Sequence, residues 1–144
     1  MRQAVLLCTT AIGLGSLIYI CFRPGSLAVF AWAEAVGLDR AVEALRQLCA
    51  PIAPHVPEPV VHTLPGALWA AALAHAMGTI WRGSPWRRSL PFLATVPLLA
   101  LGSELGQGLG LVPGTFDPLD LLSYTGGIGL GFWWALSGRR TAAR

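Results

Sequence analysis

Acidic residues are rare in this chain, and three of its seven lie in one apolar, glycine-rich stretch, SELGQGLGLVPGTFDPLDLLSYTGG (103–127). These three are Glu104, Asp117 and Asp120. Carboxyl groups that converge can bind a polar or cationic ligand, or work together as a general acid and a general base. Either chemistry requires structural elements that bring the three side chains together.

The composition is typical of a membrane protein. Of the 144 residues, 54% are apolar and 12% are charged, whereas about a quarter are charged in typical soluble proteins. The mean hydropathy is +0.60. All ten basic residues are arginines, and they flank hydrophobic runs instead of forming a stripe with interleaved aromatic side chains. This pattern argues against a nucleic-acid partner and favours a role in membrane orientation.

Four apolar segments are long enough to cross a bilayer, which takes about 20 residues at ~1.5 Å per residue. They cover residues 4–22, 65–81, 90–108 and 118–136. We therefore predict a single membrane domain over residues 1–144, with an all-α polytopic fold of four transmembrane helices. A cleaved signal peptide is the alternative for the first segment, because AWA (31–33) resembles a cleavage site. Against it, the apolar run is longer than a signal peptide needs, and Arg23 separates the run from AWA.

The first outer loop, residues 23–64, is predicted to contain short interfacial helices. SLAVFAWAEAV (26–36) is typical of an interfacial or re-entrant helix. DRAVEALRQLCA (39–50) has apolar residues at helical spacing. The five prolines of PIAPHVPEPVVHTLP (51–65) favour an extended linker at the surface.

The distribution of arginines predicts the orientation. With four spans, both termini and the loop between the second and third helices share one side, which carries no acid and these arginines: Arg2, Arg82, Arg87, Arg88, Arg139, Arg140 and Arg144. The opposite side carries most of the acids: Glu34, Asp39, Glu43, Glu58, Asp117 and Asp120. By the positive-inside rule, both termini are cytoplasmic.

Glu104 is expected to lie inside the membrane. Counted from Arg88 at the cytoplasmic edge, it is about 24 Å along the third helix at ~1.5 Å per residue, within a core ~30 Å thick. A charge near the centre of the bilayer costs at least ~2.5 kcal/mol, so such acids usually face the interior of a bundle or a wet cavity. Capping of a helix cannot explain an acid this deep, whereas a structural ion pair with Arg23 remains an alternative.

The other polar residues extend this site. Gln107 shares a helical face with Glu104, and Tyr124 shares one with Asp120. Two GxxxG motifs, at Gly102 and Gly106 and at Gly127 and Gly131, are expected to let the third and fourth helices pack closely. We therefore predict an outward-facing pocket formed by Glu104, Gln107, Asp117, Asp120, Tyr124 and Arg23. The alternative for the two aspartates is a capping role at the start of the last helix.

Histidines and cysteines give weaker signals. His75 falls near the middle of the second helix, where it can be an axial ligand of a haem or chlorin, or can hydrogen-bond to a neighbouring helix. His55, Glu58 and His62 are a weak candidate metal set, since the prolines between them preclude a shared helical face. We therefore expect neither a metal nor a cofactor. Cys21 and Cys49 can form a disulfide if their side of the membrane is oxidising.

The third and fourth helices resemble the VanZ-like family of small bacterial membrane proteins. The resemblance rests on SELGQ with Glu104 and Gln107, on GTFDPLD with Asp117 and Asp120, and on the glycine-rich GGIGLG; YICFRPGSLAVFAW with Arg23 is also similar. It implies a multi-pass protein of the bacterial inner membrane. Founding members are associated with glycopeptide antibiotic resistance, through the outer face of the membrane and cell-wall precursors.

These observations favour a pocket that binds the polar group of a lipid or of a lipid-linked envelope precursor. Two alternatives belong to other classes of protein. One is an accessory subunit of a larger membrane complex; the other is a membrane enzyme that uses its paired carboxylates on a lipid or peptide. No nucleophile or phosphate-binding motif accompanies the acids, so the sequence leaves open whether the chain is an enzyme.

Overall fold

The computed structural model describes residues 2–137, and all of the regular structure in that range is helical. The helices are α1 (Arg2–Phe22), α2 (Ala28–Ala35), α3 (Asp39–Cys49), α4 (Glu58–His62), α5 (Leu64–Ile80), α6 (Trp86–Gly108) and α7 (Pro118–Ser137), with a 3-10 turn at Ala53–His55. The prediction of an all-α fold is confirmed over these residues.

The four long helices α1, α5, α6 and α7 coincide with the four predicted spans to within a few residues at each end. Two of them, α1 and α6, are long and apolar enough to cross a membrane, and α5 is a shorter apolar helix. α7 does not reach the same hydropathy because its first turns carry Asp120 and several small polar residues. The four-span topology remains a prediction. Arg139, Arg140 and Arg144, which support the predicted orientation, lie outside the described residues.

Helix α5 lies at the centre of the fold, where it packs against α1, α6 and, most extensively, α7. The interface with α7 is built from small residues. A Cβ added to Gly127 would overlap the carbonyl oxygen of Ala67, and one added to Gly131 would overlap that of Ala71. Without side chains at these two positions, the backbones of α5 and α7 approach closely.

This packing corrects the prediction that the two GxxxG motifs join α6 to α7. Both glycines of α7 face α5 instead, whereas a Cβ added to Gly102 would meet nothing within 4 Å and one added to Gly106 would meet Val112 in the following loop. The reason is geometric. Gly102 precedes Glu104 by two residues, which is about 200° around a helix, so Gly102 points outward when Glu104 points inward.

A small apolar core forms where α5, α6 and α7 meet. It consists of Ala70, Ala74, Val96 and Ile128, with Tyr124 and other side chains packed around it. Most of the large apolar side chains lie on the outside instead; on α6, Leu98 is 70% exposed. An apolar outer surface of this extent indicates contact with lipid or with another protein.

The outer loop is helical throughout much of its length and is attached to the end of α1. Arg46 of α3 donates to the backbone oxygens of Ile20 at 3.0 Å and Arg23 at 2.8 Å, which satisfies carbonyl groups at the C-terminus of α1. Cys21 is joined to Cys49 by a disulfide, with Cα atoms 5.8 Å apart. The two links fix the position of Arg23.

The prediction of an extended linker over residues 51–65 is wrong. This segment forms the 3-10 turn and α4 instead, because Pro54 and Pro59 occupy the first turn of each. At that position the missing N–H of proline has no intrahelical partner to lose, and the fixed φ angle suits a helix. Prolines spaced in this way therefore start short helical turns and do not prevent them.

Candidate functional site

A cavity of about 680 Å³ lies at one end of the bundle, where α1 and α6 end and α5 and α7 begin. All of the residues predicted to form a pocket line it: Glu104, Gln107, Asp117, Asp120, Tyr124 and Arg23. They come from α6, from α7, from the turn before α7 and from the residue that follows α1. The structure thus brings together residues that are up to about a hundred positions apart, while ligand binding there stays a prediction.

Glu104 is the most buried of these residues, with only 4% of its surface exposed. One carboxylate oxygen, Oε2, accepts a long hydrogen bond of 3.5 Å from the backbone N–H of Asp117. Within residues 2–137, its other oxygen, Oε1, has no hydrogen-bond donor. Glu104 therefore connects the end of α6 to the start of α7 and presents a carboxylate to the cavity.

Arg23 does not pair with Glu104, although it is the nearest predicted counter-charge. Its guanidinium contacts Nδ1 of His62 and lies 5.4 Å from the centre of the Tyr19 ring. Nε is buried and has no hydrogen-bond partner among the described residues. The alternative in which Glu104 forms a structural ion pair with Arg23 is therefore wrong, and the described residues leave donors of the guanidinium unused.

The two aspartates have different roles at the start of α7. Oδ1 of Asp117 accepts from the backbone N–H of Leu119 at 2.8 Å, as an N-cap residue does. Asp117 thus caps the helix and also faces the cavity. The backbone oxygen of Asp120 accepts from the hydroxyl of Ser123 at 2.8 Å, and no group among residues 2–137 donates to its carboxylate. Capping therefore explains Asp117, and the half-buried carboxylate of Asp120 remains directed to the cavity.

Gln107 and Tyr124 are positioned by glycines. A Cβ on Gly114 would lie 2.6–2.9 Å from the amide group of Gln107, so the bare glycine leaves room for that side chain against the turn. In the same way, a Cβ on Gly66 would lie 2.8 Å from the hydroxyl oxygen of Tyr124. Gly66 therefore leaves room for the phenol ring of Tyr124 against the beginning of α5.

Sequence reasoning missed several residues of this cavity. Tyr19, Trp69, Glu58 and His62 also line it, and the rings of Tyr19 and Trp69 lie 5.4 Å apart. A signal was present for Tyr19, because it precedes Arg23 by one helical turn and shares its face. No such signal existed for Glu58 and His62, which reach the cavity only because the proline-rich segment folds back as α4.

The cavity is strongly acidic. Four carboxylic acids line it, Glu58, Glu104, Asp117 and Asp120, against the single guanidinium of Arg23. Aromatic side chains form part of the remaining wall. Carboxylates and aromatic faces together favour a cationic group, whereas an isolated guanidinium favours a phosphate or carboxylate.

His75 lies elsewhere, buried in the middle of α5 with 8% of its surface exposed. Its ring lies edge-on to Trp134, with 6.3 Å between centroids, and its Nδ1 has no hydrogen-bond partner among residues 2–137. It lines a separate apolar cavity of about 230 Å³ between α1, α5 and α7. Across the part of the chain that is described, no group of three or more histidine, cysteine or acidic side chains is arranged to hold a metal ion.

Comparison of the chain with protein-family models, with curated proteins and with solved structures finds no match.

Proposed function

We propose that the chain is a VanZ-like, multi-pass protein of the bacterial inner membrane, with four spans and both termini in the cytoplasm. Its acidic cavity then opens at the outer face and binds the polar group of a membrane lipid or of a lipid-linked envelope precursor. The observation that carries this proposal is the buried carboxylate of Glu104, which lines a cavity and has no ion-pair partner in the described chain. A charge held in that way is costly unless a ligand compensates for it.

Binding can be tested by native mass spectrometry of the protein released from membranes. Wild-type protein is expected to retain a polar or lipidic species, and Glu104→Gln is expected to lose it while still inserting into the membrane. Glu34→Gln is the matched control, because Glu34 is an exposed acid of α2 that does not line the cavity. Equal retention by the wild-type protein and Glu104→Gln would contradict the proposed role of this carboxylate.

An enzyme is the second candidate, favoured by the different surroundings of two acids in one cavity. Glu104 is buried and Asp120 is half-buried, and carboxyl groups in unlike environments can act as acid and base in one reaction. The test is turnover of a candidate lipid by the purified protein. Loss of that turnover in both Glu104→Gln and Asp120→Asn would favour the enzyme; a bound lipid that is never altered would favour the binding protein.

An accessory subunit is the third candidate, favoured by the exposed apolar side chains along α6. Purification in mild detergent separates it from the others. Co-purifying chains would support it, and a single monomeric chain with a bound lipid would not.

A further inference from the structure

A groove lies beside the acidic cavity, between α5 and α6. Its walls are apolar and include Leu73 of α5 and Val96, Leu99 and Ala100 of α6, with a volume of about 260 Å³. The groove and the cavity share Gly66, Trp69 and Tyr124 as lining residues. The polar site therefore borders an apolar groove on the outer surface of the bundle.

The groove is open to the surroundings of the protein. Leu99 is 63% exposed and Leu73 is 39% exposed, so the channel is not a closed part of the core. It runs along α6, which is long and apolar enough to cross a membrane. A hydrocarbon chain lying there would be bounded by leucine, valine and alanine side chains on the protein side and by lipid on the other.

The charges of the cavity indicate the headgroup that such a chain would carry. Four carboxylic acids and the ring of Trp69 favour an ammonium group. Arg23, the residue after α1, has donors that the described chain does not use and favours a phosphate. An aminophospholipid has both groups, a few bonds apart, and carries its acyl chains on the phosphate side.

We infer that the cavity holds the headgroup of a phospholipid with a primary ammonium beside its phosphate, and that one acyl chain lies in the groove between α5 and α6. This inference rests on the proposed function and specifies its ligand. The lipid enters sideways from the bilayer, with no need to leave the membrane. Glu104, which is nine-tenths buried and lacks a donor at Oε1, lies at the polar end of that route.

The headgroup is tested in nanodiscs of phosphatidylcholine that contain equal small amounts of phosphatidylethanolamine and phosphatidylglycerol. Native mass spectrometry of the released protein is expected to show phosphatidylethanolamine retained about tenfold over phosphatidylglycerol, the effect of one charge-assisted interaction. Asp120→Asn and Glu104→Gln are expected to lose that preference, and Glu34→Gln to keep it. Equal retention of the two lipids by the wild-type protein would overturn the ammonium assignment.

The route is tested with a matched pair of α6 variants. Ser103 lines the groove and donates to the backbone oxygen of Ala100, while Thr95 is exposed, lies outside the groove and donates to that of Pro91. Ser103→Phe should reduce the retention of every lipid about tenfold, whereas Thr95→Phe should not change it. If Ser103→Phe fails to fold, Leu99→Ala with Leu98→Ala as its control takes its place. Unchanged retention in the groove variants would overturn the sideways route.

Soluble glycerophosphoethanolamine distinguishes this inference from the proposed function. Calorimetry is expected to show that it binds the wild-type protein and Ser103→Phe alike, and not Glu104→Gln. Binding of this headgroup without retention of any phospholipid would overturn the lipid inference and leave the cavity as a polar binding site. Binding of neither would count against both proposals.

Discussion

Glutamine is neutral and has nearly the same shape as glutamate. The variant Glu104→Gln therefore separates the energetic cost of the charge from the packing of the side chain. In Glu104→Gln the amide oxygen can still accept from the N–H of Asp117, while the unpaired negative charge is removed. We expect the free energy of unfolding in detergent to rise by about 1 kcal/mol, or Tm by roughly 2–8 °C. Thermal unfolding followed by circular dichroism measures this shift.

A higher Tm of Glu104→Gln would support a role of Glu104 in ligand binding, because residues that bind ligands often reduce stability. Glu104→Ala is the control: it should lower Tm, since it leaves a void and an unpaired N–H at Asp117. A lower Tm in Glu104→Gln would mean that the charge is compensated in the free protein, which would weaken the case for a ligand.

Asp117 and Asp120 allow capping to be tested apart from the charge of the cavity. Asp117→Ala removes the side-chain acceptor for the N–H of Leu119 and should cost about 1 kcal/mol of stability. Asp117→Asn keeps an acceptor and should cost much less. Asp120→Ala should also have a small effect, because no backbone N–H in the described chain donates to its side chain. Equal losses of Tm in Asp117→Ala and Asp120→Ala would contradict this division of roles.

At this scale the sequence was informative about local chemistry and silent about partners. DPLD identifies Asp117 as an N-cap because the cap, the proline and the first turn are adjacent in the chain. The contact of Arg23 with His62, which lies 39 positions further along the chain, depends on how the residues between them fold. Nothing in the spacing of Arg23 and Glu104 could show that the guanidinium turns away from the acid.

Among the helices, the glycines of α7 decide how α5 and α7 pack. In Gly127→Ala the new methyl group meets the backbone of Ala67, which cannot move without shifting α5. We expect a loss of stability of about 1–3 kcal/mol, as for other overpacked sites. Tm of the purified protein measures the loss, and inter-helix crosslinking would show the displacement.

Two other glycines are matched controls for this prediction. Gly129, also in α7, and Gly102, in α6, have open space where a Cβ would lie. Substituting either by alanine should raise stability by about 1 kcal/mol, because alanine favours a helix over glycine. Destabilisation by Gly102→Ala would indicate that α6 and α7 do pack through their glycines, contrary to the structure.

The helices themselves could be predicted from apolar runs, prolines and caps, since all of these act within a few residues. A GxxxG motif predicts a close approach, but not which helix approaches. On α7 the glycines share a face with Tyr124 and Ala135, and α5 offers Gly66, Ala74 and Gly78 at matching heights, so the small residues of these two helices fit each other. Which helix the glycines of α7 approach therefore depends on the small residues of α5, α6 and α7 together.

At the scale of the whole molecule, the orientation in the membrane decides what the cavity can meet. The cavity lies at the end of the bundle that holds the Cys21–Cys49 disulfide, which forms in an oxidising compartment such as the periplasm. The described residues at the other end include Arg2, Arg82, Arg87 and Arg88 and no acidic residue, which agrees with this placement under the positive-inside rule. Both arguments predict that the cavity faces outward.

Labelling of single cysteines in intact cells tests this prediction. In a background without the native cysteines, Ser26→Cys lies between α1 and α2, at the same end as the cavity, and Ser84→Cys lies between α5 and α6, at the opposite end. Both serines are exposed, so access to an impermeant maleimide reports the side of the membrane. We expect Ser26→Cys to react in intact cells and Ser84→Cys to react only after the cells are opened. The reverse pattern would place the cavity in the cytoplasm, where an envelope precursor on the outer leaflet could not reach Glu104; reaction of both sites in intact cells would mean that α5 does not cross the membrane.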